Sequence, residues 1–122
     1  MLDWQPYDGT AATGYVDLKA ALSAEPWCVG YAACSLYSPG EREGWLELGS
    51  DGGLQVWLNG TQVHCKNADR FAAPGQNLVP IRLRSGWNSL MLKVTGADEG
   101  WGFLCRPADV WGNLWPDVQS RI

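Results

Sequence analysis

A chain of 122 residues is long enough for one domain with its own core, and 46% apolar residues with 15 glycines and 7 prolines exclude a low-complexity chain. Nine basic against thirteen acidic residues leave a net charge of −4. With the basic residues scattered, this argues against nucleic acid or an anionic membrane surface as a partner.

No apolar run approaches the roughly 18 residues of a transmembrane helix, and no charged segment followed by an apolar one opens the chain. Neither a membrane span nor a signal peptide is therefore expected. Tryptophan is the unusual residue, with eight copies. Each ring is costly unless it packs or binds something.

In chain order, residues 1–13 carry Pro6 and Gly9 without a clear period and read as a lead-in arm. Residues 17–23 predict a short helical turn capped by Asp17, with Leu18 and Leu22 on one face and Pro26 ending it. Val29 to Tyr37 is apolar on both faces and predicts a central strand covered on both sides. Ser38-Pro39-Gly40 then turns the chain.

Next, Leu46 and Leu48 alternate with Trp45 and Glu47, and Leu54, Val56 and Leu58 alternate with Gln55, Trp57 and Asn59. A three-residue loop at Asp51-Gly52-Gly53, with Gly53 left-handed, would set Leu48 opposite Val56 and Leu46 opposite Leu58 in one hairpin. Asn59-Gly60 is a strong two-residue turn signal. It predicts Leu58 opposite Thr61, Trp57 opposite Gln62, Val56 opposite Val63 and Gln55 opposite His64. One face would then be apolar, with Val63 and Cys65 on it. The other would hold Trp45, Glu47, Gln55, Trp57, Gln62 and His64.

Residues 66–77 read as a polar loop. Ser85-Gly86 predicts a second hairpin, pairing Arg84 with Trp87, Ile81 with Leu90 and Val79 with Leu92, with Arg84 over the Trp87 ring. Its apolar face would be Val79, Ile81, Leu83, Leu90, Leu92 and Val94. Trp101 to Arg106 is the last expected strand, and 107–122 a tail. Six or seven short strands at turn spacings of about 8–12 residues predict a single all-β domain, an antiparallel β-sandwich with a short N-terminal helical turn.

Cys28, Cys34, Cys65 and Cys105 include no CxxC, so a zinc site is not expected. Cys28 and Cys34 on one strand would lie about 20 Å apart, beyond disulfide reach. The four are read as small buried residues with free thiols. His64 is the one histidine, and Cys65 would point to the opposite face of its strand. A nucleophile and a base cannot meet across a sheet, so catalysis is not expected.

The segments YSPGEREGWLELGSDGGLQVWLNGTQVH at 37–64, LVPIRLRSGWNSLMLKV at 78–94 and GWGFLCR at 100–106 resemble galactose-binding-domain-like jelly rolls. Such modules accompany glycoside hydrolases and other secreted multidomain proteins. The resemblance implies a jelly-roll sandwich, a glycan ligand, neighbouring domains as further partners and an extracytoplasmic setting. The chain is more distantly similar to protective-antigen-like sugar-binding domains. Those use two adjacent aspartates, whereas here Asp51 is followed by Gly52. One carboxylate is a poor start for calcium, so no cofactor is expected.

The candidate ligand-binding residues are Trp45 and Trp57 as a shared stacking platform, with Glu47 and Gln62 at its polar edge. To these are added Asn67, Asp69 and Arg70 in the polar loop, and Trp101. Trp101, Trp111 and Trp115 flank glycine-rich stretches and are candidates for a second aromatic site. Together these residues and the resemblance describe a non-catalytic carbohydrate-binding module. The alternative is a structural or protein-interaction sandwich that binds no sugar.

Overall fold

The computed structural model describes residues 16–18, 29–66, 72, 76–96, 102–113 and 119–121. Among them run nine strands: β1 (Val16–Asp17), β2 (Val29–Ser38), β3 (Arg42–Ser50), β4 (Leu54–Leu58), β5 (Thr61–Lys66), β6 (Asn77–Leu83), β7 (Gly86–Thr95), β8 (Gly102–Ala108) and β9 (Gln119–Arg121). They form a four-stranded sheet in the order β1-β8-β3-β6 and a five-stranded sheet in the order β5-β4-β7-β2-β9. Every neighbouring pair is antiparallel. Of the helical turn expected over 17–23, only Asp17, here in a strand, and the buried Leu18 fall within the described residues.

The period-2 pattern positions the core. Leu46, Leu48, Val79, Ile81, Leu83 and Phe103 from the four-stranded sheet join Leu36, Leu54, Val56, Leu58, Leu90, Leu92 and Val94 from the five-stranded sheet in one buried cluster. Each such side chain contributes roughly 1.5–3 kcal/mol when taken out of water. Two antiparallel sheets sharing one apolar core make the arrangement of a β-sandwich.

The two long hairpins are corrected. β3 and β4 do not pair; they lie in opposite sheets, so Leu48 and Val56 belong to opposite walls of the one core and are not ladder partners. The chain crosses between the sheets over residues 51–53. There the Asp51 amide donates to the Gly102 carbonyl of β8 (3.0 Å), while the Gly53 carbonyl accepts from the Thr95 amide of β7 (3.0 Å). The left-handed residue is Gly52, at φ 79°, and not Gly53.

β6 and β7 likewise belong to different sheets, so none of the pairs expected around Ser85-Gly86 forms. An alternating strand presents the same buried residues whether its successor lies beside it or across the sandwich. Pattern alone does not separate the two.

The Asn59-Gly60 turn forms as read, with φ 51° and 81° at its two central residues, the sign pair of a type I′ turn. Leu58 faces Thr61 and Trp57 faces Gln62. A bulge then shifts the register, so Val56 faces His64 and Gln55 faces Cys65. One extra residue exchanges the faces of all that follow. Cys65 is therefore outside the core, exposed and accepting a hydrogen bond from Gln55 Nε2 at 3.5 Å.

β2 is central within its sheet, between β7 and β9, but is not covered on both faces. Val29 and Tyr31 on its outer side are 47% and 40% exposed. Its outer positions are Val29, Tyr31, Ala33, Ser35 and Tyr37, small residues and tyrosines that tolerate water. β8 runs two residues past Arg106 to Ala108, and residues 119–121, within the expected tail, add a strand to β2.

Cys34 and Cys105 are free thiols packed against the core, and Cys28 lies outside the described residues. Burial raises the Cys34 thiol. It pushes Cys105 up to about 12, with Cys34 nearby adding to the effect.

Candidate functional site

Trp45 and Trp57 do not share a platform. β3 belongs to the four-stranded sheet and β4 to the five-stranded one, and both rings alternate with buried residues. They therefore project from opposite outer surfaces of the molecule. Glu47 stays with Trp45, two residues along β3, while Gln62 stays with Trp57, directly opposite it. Asn67, Asp69, Arg70 and Trp101 lie outside the described residues.

Around Trp45 the outer face of the four-stranded sheet is chemically mixed. Pro80 stands opposite Trp45 on one side and the fully buried Ala108 on the other. Glu43 faces Arg82 across the β3–β6 ladder. Glu47 faces Arg106 across the β3–β8 ladder, with Oε2 accepting from Nη1 at 2.6 Å. Both ends of that ion pair reach water, so it contributes little stability, up to about 1 kcal/mol. Its effect is to orient Arg106, whose Nη2 donates to the Gly112 carbonyl at 2.8 Å.

An open cleft of about 670 Å³ begins at Trp45 and runs round the β6 edge to the β4–β5 turn. Glu43, Trp45, Pro80, Arg82 and Val110 line one side; Asn59, Thr61 and Val63 line the other. Its composition, an aromatic and aliphatic floor with a few polar groups, suits a small polar ligand with an apolar face. Glu43 and Arg82 form no ion pair or hydrogen bond among the described residues, so both are available to a ligand.

Several lining residues escaped the sequence reading. Glu43 was visible through its i+2 spacing from Trp45. Arg82, Asn59 and Val110 became neighbours of Trp45 only once β6, the β4–β5 turn and the end of β8 were placed.

The remaining polar residues mostly hold the fold. Asn88 is 1% exposed and joins three segments. Its Oδ1 accepts from the Arg84 amide (3.0 Å) and from Asn59 Nδ2 (2.9 Å). Its two Nδ2 protons are shared among the carbonyls of Arg84 (3.0 Å), Gly86 (3.2 Å) and Leu36 (3.3 Å).

Asp51, 5% exposed, accepts from the Ala72 amide at 2.8 Å and so ties a loop to the crossing point between the sheets. Among the described residues no three His, Cys, Asp or Glu side chains gather. Arg84 Nε donates to the Trp87 carbonyl at 3.3 Å, and the Trp87 ring lies 5.3 Å from that of Tyr37 at 60°.

Comparison of the chain with protein-family models, curated proteins and solved structures finds no match in any of the three.

Proposed function

We propose that the chain is a non-catalytic carbohydrate-binding module on a galactose-binding-domain-like jelly roll, an accessory domain of a larger extracytoplasmic protein. Its glycan lies in the Trp45 cleft. The observation that carries this reading is the half-buried Trp45 ring beside two unengaged, opposite charges, Glu43 and Arg82. A pyranose ring has an apolar C–H face to lay on an indole and hydroxyls at its edge that both donate and accept. Glu43 accepts, Arg82 donates, and the Thr61 hydroxyl can do either. No cofactor is needed.

Affinity is expected in the micromolar to millimolar range, because an open polar site must first offset the hydration of the hydroxyls. The test is a tryptophan-fluorescence titration of the protein with a panel of polysaccharides. Trp45→Ala is expected to weaken binding by roughly 1–3 kcal/mol while the fold melts as before. Binding that Trp45→Ala leaves unchanged removes the cleft from the reading. No binding across the panel removes the carbohydrate reading itself.

A second reading has its own observation. On the outer face of the five-stranded sheet, Val29, Tyr31 and Trp87 are 47%, 40% and 39% exposed. A module that binds no sugar and packs against a partner domain would use that face. Association that is lost on Tyr31→Lys, with no glycan bound, supports it.

A further inference from the structure

Val110, Trp111 and the residues around them form a tightly bonded loop at the end of β8. Asp109 Oδ1 accepts from the amides of Trp111 and Asn113, both at 2.9 Å. The Asp109 amide donates to the Asn113 carbonyl (2.8 Å), and the Gly112 amide to the Asp109 carbonyl (2.9 Å). Arg106, already paired with Glu47, holds the Gly112 carbonyl from outside.

At the tip of this loop Trp111 is 82% exposed. An indole so far into water gains nothing for folding. The hydrogen bonds around it fix the backbone on which it is carried. A preorganised aromatic loses little conformational entropy when it meets a ligand.

The loop is also continuous with the cleft. Val110 lines it, and Trp111 lies three residues beyond Ala108, which stands directly opposite Trp45.

We infer that Trp111 is a second stacking subsite, so that the ligand of the Trp45 cleft is an extended glycan chain and not a single sugar or a chain terminus alone. The inference rests on the carbohydrate reading of that cleft. One sugar residue sits on Trp45 beside Glu43 and Arg82, and the chain passes Val110 to lay a further residue on Trp111.

The experiment is isothermal titration of the whole chain with gluco-, xylo-, manno- and galacto-oligosaccharides of two to six residues. Affinity for the series that binds should rise with length. Trp111→Ala should weaken the hexasaccharide about tenfold and the disaccharide less than about twofold, erasing the length dependence. Trp111→Tyr should restore most of it, and neither change should move Tm, given the exposure of the ring. Trp45→Ala should weaken every length.

If Trp111→Ala leaves the hexasaccharide unchanged while Trp45→Ala weakens it, the second subsite is overturned and the cleft stands. If no oligosaccharide of any series binds, the carbohydrate reading fails and takes this inference with it.

Discussion

At the scale of single residues, Asn88 is a fully buried polar junction in the sandwich. Its side chain bonds β2, the turn before β7 and the Asn59-Gly60 turn at once. Removing it leaves several buried partners unsatisfied, and each such group costs about 1–3 kcal/mol. Asn88→Ala should therefore destabilise by roughly 2–4 kcal/mol and lower Tm by about 10 °C or more in a thermal melt followed by circular dichroism. Asn88→Asp keeps the acceptor but sets a buried carboxylate oxygen against the carbonyls of Leu36, Arg84 and Gly86, so at neutral pH it should destabilise at least as much as Asn88→Ala. The sequence reading gave Asn88 no role. Its value comes from Asn59, which lies 29 residues earlier.

At the scale of elements, strand content and inner faces were legible, and strand neighbours were not. Leu46, Leu48, Leu54, Val56 and Leu58 are buried as their spacing demands. Asn59-Gly60 turns as its chemistry demands. The hairpins at 51–53 and 85–86 failed because a short glycine-containing link serves equally well to cross between sheets. The shared Trp45–Trp57 platform failed with them. The bulge after Gln62 was equally hidden, since an inserted residue has no composition of its own.

The inner faces of β2 and β8 carry Cys34 and Cys105, and this gives an element-scale prediction. Native protein at neutral pH should expose Cys65 to a thiol reagent, while Cys34 and Cys105 react only on unfolding. Their raised thiols also set an alkaline limit. The unfolded chain loses these protons first, near the usual thiol value, while the folded Cys105 holds its own to about 12. Stability from this group is thus complete below pH ~9 and is lost as pH rises through the window up to 12, at about 1.4 kcal/mol per unit. Denaturant melts between pH 8 and 11 check the sign, and Cys105→Ala should flatten the slope.

At the scale of the whole molecule, the four outermost strands share a property. Within the described residues β1 spans two residues and β9 three. β5 carries the bulge, and β6 has Pro80 in its middle. Short strands, bulges and prolines each deny an incoming chain the regular row of donors and acceptors that a sheet needs to grow. The consequence is colloidal. A domain with four such edges can be crowded without templating fibres. Pro80→Val would complete the donor row on β6 and, beside the exposed Leu78, should raise the rate of light scattering in concentrated solution at unchanged Tm. A variant that stays as clear as the parent would mean that β6 is guarded by something other than its proline.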